Sequence, residues 1–153
     1  LTLLSTLSLA HARPLVQGTI YVRNNCSAPV YLWRTDVSTT SASYLAATNG
    51  TWNQPISKKP TTGVAIKIGS SEDSLWVNDP IFHYAYSIND QENAVYYSIS
   101  SHNGVDPLFE GKKTLLTGTE GKGVPVIEWW GGPESGTKAY KGDTDFFLTL
   151  CAD

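Results

Sequence analysis

The sequence holds no methionine, only two cysteines, 16% charged residues and no apolar run long enough to cross a membrane. Each shortage excludes something. Lys and Arg total 11 against 14 Asp and Glu, for a formal net charge of −3. The paired lysines, Lys58-Lys59 and Lys112-Lys113, are isolated, so no basic face for nucleic acid is present. The serines are many, yet no Gly-x-Ser-x-Gly elbow accompanies them, which removes that nucleophile arrangement. The glycines of 111–123 do not follow a strand and open a helix, so they form no phosphate-cradling loop. No stretch carries a convincing helical period. The residues point to no cofactor, and they leave the oligomeric state open.

What is there reads as strands. Ile20 and Val22 alternate with Tyr21 and Arg23, and Val30 and Leu32 alternate with Tyr31 and Trp33 across turn formers at Asn24 to Pro29. This is the pattern of a β-hairpin with Cys26 in its bend. The other cysteine, Cys151, closes the run Asp145-Phe-Phe-Leu-Thr-Leu-Cys. Cys26 and Cys151 are expected to form one bridge, fastening the last strand to the first hairpin, and one bridge fits an oxidising compartment. The long loop so closed is worth about 4–5 kcal/mol in the chain-entropy account, before native strain is subtracted.

Thr35 to Pro60 is rich in Ser, Thr, Asn and Ala and is expected as a long surface loop anchored by Tyr44 and Trp52. Strands are expected at 64–68, 81–88, 94–100 and 146–151, with shorter ones at 75–77 and within 111–123. A strand at 124–130 carries Pro125, which places it at an edge or makes the proline its start. Gly131 to Gly136 is a turn-rich loop. Many short strands between turn clusters mean an all-β sandwich or barrel in one domain.

The first ten residues, Leu1 to Ala10, have the apolar character of a secretory leader, and Ala10-His11-Ala12 offers a small-residue cleavage pattern. The expected division is therefore a partial signal peptide at 1–12 and a folded domain at 13–153, with the mature chain starting at Arg13. Asn49-Gly50-Thr51 is an N-glycosylation sequon in a polar stretch. Asn25-Cys26-Ser27 is a poorer one because its middle residue is bridged.

Asn24-Asn-Cys-Ser-Ala-Pro-Val-Tyr-Leu-Trp33 resembles the opening of thaumatin-like proteins. More closely, it is similar to their small fungal antigenic branch, grouped with the Blastomyces yeast-phase-specific protein. Gly63-Val-Ala-Ile-Lys-Ile68, Tyr84-Ala-Tyr-Ser-Ile88, Val95-Tyr-Tyr-Ser-Ile-Ser100, Asn103-Gly104, Asp106-Pro107-Leu-Phe109 and Leu148-Thr-Leu-Cys151 agree with that branch in order. The resemblance implies a flattened antiparallel β-sandwich. It also implies comparison with the acidic cleft of the larger members, linked to β-1,3-glucan binding and sometimes to its hydrolysis. Aligned by motif, the family's Glu falls at Ala85, an Asp at Ser98 and another at Asn103. Glycoside hydrolysis needs two carboxyl groups, one protonated and one ionised. Alanine and serine supply neither, so the reading leans away from an enzyme and no catalytic residue is assigned.

The candidate ligand contacts are Tyr84, Tyr86 and Tyr97 as an aromatic lining, His102 and Asn103 as polar contacts, and Asp106 as the residue that orients their loop. A second candidate group is Glu128, Trp129 and Trp130, a carboxylate beside an aromatic pair on one strand. Such rings stack on sugar faces or anchor a protein partner, and they equally serve as core. The remaining carboxylates, in Glu72-Asp73, Asp90-Gln-Glu92 and Asp143-Thr-Asp145, read as solvated loop charges. A copper site from an N-terminal His11 with His83 or His102 would need cleavage after Ala10, and no metal site is assigned. The expectation is a secreted or cell-wall-associated, non-catalytic binding module or surface antigen. Its ligand would be β-glucan or a host or microbial surface partner. The alternatives are a glucan hydrolase with relocated carboxylates and a structural wall component.

Overall fold

The computed structural model describes residues 16–58 and 62–152, which build eleven strands and no helix. The expected leader at 1–12 lies outside the described residues. No helix of the described residues is long and apolar enough to cross a membrane. The strands are β1 (Thr19–Asn24), β2 (Val30–Thr35), β3 (Ser43–Leu45), β4 (Gly50–Pro55), β5 (Val64–Gly69) and β6 (Ile81–Asn89). They continue with β7 (Ala94–His102), β8 (Thr114–Gly118), β9 (Ile127–Trp129), β10 (Lys138–Lys141) and β11 (Phe146–Leu150). A five-stranded sheet runs β4-β1-β11-β8-β9 and a six-stranded sheet runs β10-β7-β6-β5-β2-β3. Every pairing is antiparallel except β1 with β11, which run parallel side by side.

The core lies between the sheets because each strand alternates. Ile20, Val22, Leu116, Phe146, Leu148 and Leu150 face it from the five-stranded sheet. Leu32, Ile66, Tyr84, Val95, Tyr97 and Ile99 face it from the other. Successive side chains point to opposite faces, so Arg23, Lys67, Ala85 and Ser98 are turned outward by the same alternation.

The disulfide joins Cys26 to Cys151 across 125 residues, as expected, and pins the β1–β2 bend to the end of β11. The flanking strands are also where the alternation places them. They do not form a hairpin, however. β1 pairs with β4 and β11, and β2 pairs with β3 and β5, so the bend between them is an arch from one sheet to the other. An arch sets the apolar faces of β1 and β2 opposite each other across the core, where a hairpin would set them side by side. Buried Asn24 holds it: its side chain donates to the carbonyls of Ala28 and Ala46 at 3.0 Å, and accepts from the Cys26 amide at 3.0 Å.

Three further expectations change. The stretch 35–60 contains β3 and β4, and Leu45 rather than the exposed Tyr44 is its buried anchor, while Trp52 packs against the core as expected. Residues 75–77 form a turn, not a strand. Ser74 is buried at the turn's base and bonds the Ser71 amide and Asp79 carboxylate. The strand at 124–130 is confined to β9, after Pro125, at the edge of its sheet.

Candidate functional site

The register of the six-stranded sheet places its outward residues in rows. Thr35, Ala65, Ala85 and Ser98 form one row across β2, β5, β6 and β7, and Trp33, Lys67, His83 and Ser100 form the next, with Trp33 itself covered and buried. Small side chains in the first row leave the sheet face hollow. The result is an open trough of two adjoining hollows, each of about 540 Å³, that share Lys67 and His83. Ser87, Tyr96 and Thr137 border the first hollow, and Trp76, Asn78, Asp79, His102 and Asn103 border the second. From the Ser87–Tyr96 pair to the Ile81–His102 pair is six residues of strand, about 20 Å.

The charges on the trough's lining are Lys67, shared by both hollows, and the carboxylates of Asp36 and Asp79. Ala85 lies directly opposite Ser98, and neither side chain carries charge. Burial, with the Lys67 ammonium and His102 beside it, holds the His83 imidazole down to about 4 from its ordinary 6.5, so it is neutral near pH 7. Its ring is stacked against His102 at 6.2 Å. Asp36 is ion-paired with Arg34, and Asp79 accepts from the Ser74 hydroxyl at 3.1 Å. The exposed aromatic surfaces are Trp76, which is 70% exposed, and the half-buried Tyr96. The Tyr96 hydroxyl donates to Glu92, which raises its pKa.

The expected site residues fall in three places. His102 and Asn103 border the second hollow, and Asn103 donates to the Asp79 carbonyl at 3.4 Å. Buried Asp106 sits behind them. Its carboxylate takes the Ser70 hydroxyl at 2.6 Å and the Leu108 amide at 2.8 Å, tying the β5–β6 connection to the loop after β7. Tyr84, Tyr86 and Tyr97 point into the core. Tyr86 and Tyr97 border the first hollow but, at 4% and 1% exposure, offer it almost no ring surface. Tyr97 lies 4.8 Å from Phe146 in the opposite sheet, and burial pushes its phenol up to about 12. Tyr84 is fully buried, its pKa raised well above normal. The alternation that turns these rings inward turns Tyr96 outward.

Glu128, Trp129 and Trp130 do not border the trough, because β9 is the edge of the other sheet. Trp129 is buried, with its indole N–H on the Pro133 carbonyl at 3.0 Å and its ring 5.5 Å from Phe82. Trp130 is 51% exposed under the Lys113 ammonium, and Glu128 is exposed opposite Leu115. Among the described residues no three His, Cys, Asp or Glu side chains gather as a metal site, and His11 lies outside those residues. Sequence reasoning missed Lys67 and Trp76. The signal for Lys67 was its place between Ile66 and Ile68; Trp76 gave none, since turn and strand read alike there.

Comparison with known proteins agrees with this architecture. The family model described as Blastomyces yeast-phase-specific protein matches residues 7–152. The chain is similar in fold to the protein elicitor MoHrip2 from Magnaporthe oryzae, whose crystal structure matches with a TM-score of 0.69 at 20% identity. That match covers 88% of this chain and 99% of the other. No curated protein sequence shows significant similarity to the chain.

Proposed function

The chain belongs to the Blastomyces yeast-phase-specific protein family, and from that premise we propose that it is a secreted, non-catalytic surface module whose trough binds a neutral polysaccharide of the β-glucan type. The observation that carries this reading is the trough's chemistry: Ala85 opposite Ser98, an uncharged His83, hydroxyls along the floor, and aromatic surface at Tyr96 and Trp76. Rings stack on the apolar faces of sugars while hydroxyls and amides bond their hydroxyl groups. A trough about 20 Å long suits a chain rather than a single sugar. Descent of this sandwich from the thaumatin-like proteins, with the acids of their cleft replaced, is part of the same proposal.

The single disulfide and the leader-like residues 1–12 support secretion, with 13–153 as the mature domain. The test is retention on insoluble β-1,3-glucan, with released reducing sugar measured in the same sample. Retention without release supports the proposal, and release would establish the hydrolase alternative instead. A protein partner is the second reading. It is favoured by Trp76 and Val77, 70% and 57% exposed on one turn beside the trough, and by the fold shared with a protein elicitor. Absence of both retention and release, with Trp76-dependent binding to cell-surface protein, would select it.

A further inference from the structure

The outer face of the five-stranded sheet carries a different feature. Tyr21 and Phe147 are register partners on the parallel strands β1 and β11, and their rings stack at 5.2 Å with planes 7° apart. They remain 40% and 39% exposed. Asn53 and Thr117 continue their row on either side, and the next row is Thr51, Arg23, Thr149 and Leu115. A shallow hollow of about 390 Å³ lies over Tyr21, Arg23, Asn53 and Phe147.

The sequon Asn49-Gly50-Thr51 sits at the lip of this face. Asn49 is exposed in the turn that enters β4, and the Arg23 guanidinium donates to its Oδ1 at 2.8 Å. That bond uses the carboxamide oxygen and leaves Nδ2, the atom to which a glycan is joined. Arg23 and Tyr21 are two residues apart on one strand face, about 7 Å, so Arg23 bridges the sequon and the ring pair. The other sequon contrasts at each point. Asn25 is half-buried, its Oδ1 is enclosed, and its neighbour Cys26 is in the disulfide.

We propose that Asn49 carries an N-linked glycan whose first sugars lie across Arg23 onto the Tyr21–Phe147 face. The transfer takes its sugar from a lipid-linked oligosaccharide pyrophosphate of the secretory pathway. A bond forms between Nδ2 and the sugar's C1, the C1–O bond to pyrophosphate breaks, one Nδ2 proton is lost, and the lipid pyrophosphate leaves. The occupant is set by its attachment point: it is tethered at the edge of a stacked Tyr–Phe pair left half-exposed on the outer face of its sheet. Sugar C–H faces lie on ring faces, while Asn53 and Thr51 supply polar partners at the margin.

The proposal rests on entry into the secretory pathway, so the full chain is produced in yeast behind a supplied leader. Function of the chain's own leader is read separately, by N-terminal sequencing of material made without it. Peptide mapping should find one glycan at Asn49, absent in Asn49→Gln and in Thr51→Ala. The glycosylated chain should melt about 2–4 °C above Asn49→Gln, the shift expected of one surface contact in a domain of this size. That difference should vanish in the Tyr21→Ser/Phe147→Ser background. Cross-peaks between sugar and Tyr21 or Phe147 ring protons in NMR spectra give a reading independent of stability. An unmodified Asn49, a glycan found only at Asn25, or a glycan with no ring cross-peaks and an unchanged melting difference in the double variant would overturn it.

Discussion

The two sheets solve different problems. The five-stranded sheet closes the chain: β1 and β11, from opposite ends of the described residues, lie parallel and side by side, and Cys26–Cys151 fastens them. The six-stranded sheet is built locally, with β5, β6 and β7 following one another as antiparallel neighbours. Its outer face holds the trough, because small residues there leave space that the other sheet fills with stacked rings. Closure by long-range contacts therefore leaves the locally paired sheet free to vary outward without losing its inward rings. If so, substitutions should separate into those that unfold the sandwich and those that alter only the trough.

The largest effect should come from the inward rings of the six-stranded sheet. Tyr84→Ala or Tyr97→Ala removes a buried ring that packs on Phe146 and should cost about 3–5 kcal/mol of stability in denaturant unfolding. Tyr84→Phe should be close to neutral, because the Tyr84 hydroxyl finds no hydrogen-bond partner among the described residues. A Tyr84→Ala variant of normal stability that failed to bind glucan would return that ring to the trough and break the division.

On the closing sheet, Cys26→Ser with Cys151→Ser should lower stability by about 2–5 kcal/mol, as freeing a long loop does. Retention on glucan at 10 °C, where the variant stays folded, should be unchanged. Loss of retention in a folded variant would show that the closure also shapes the trough.

Much of this division was legible in the sequence. Alternation in 19–24, 64–68, 81–88 and 94–100 gave the strands, and the two cysteines gave their pairing. The all-β class followed from the lack of any helical period. Partner choice was not legible, because a hairpin and an arch share the pattern of two alternating strands around Asn24 to Pro29. Nor were β4 and β10, whose edge positions leave Gly50 to Pro55 and Lys138 to Lys141 polar and half-exposed. Which rings face outward was not legible either. Tyr96-Tyr97 necessarily splits between faces, but alternation alone does not say which face is inward, and the choice of Tyr97 took the core member of the pair.

A smaller effect is expected on the trough itself. Tyr96→Ala and Trp76→Ala should each weaken retention by about 1–2 kcal/mol, or roughly 5- to 30-fold, by analogy with aromatic anchors at interfaces. Stability should change by less than about 0.5 kcal/mol, since both rings sit on the surface. Equal losses of stability and binding would mean that these rings support the sheet. Unchanged retention would move the site off this face, first to Glu128 and Trp130 at the edge of the other sheet.

The smallest effect is also the most specific to one face, since His83 and His102 of the trough are the histidines among the described residues. His83 has a folded pKa of about 4 against about 6.5 unfolded, first because burial opposes its charge and then because Lys67 and His102 repel it. Above pH 6.5 both states are neutral at this group and it contributes no pH dependence. As pH falls from 6.5 towards 4, the unfolded chain takes up a proton that the folded chain refuses, so stability drops; below 4 both are charged and the drop ends. The side chain is partly solvated, so the loss should be on the order of 1 kcal/mol. His83→Gln should remove that part of the decline between pH 6.5 and 5, above most carboxylate titrations, while glucan retention of the parent should not follow His83, which stays neutral in the folded chain over that range. A titration assigned to the His83 imidazole by NMR with its midpoint near 6.5 would put that ring in open solvent, and the trough would then gain a further positive charge between pH 7 and 5.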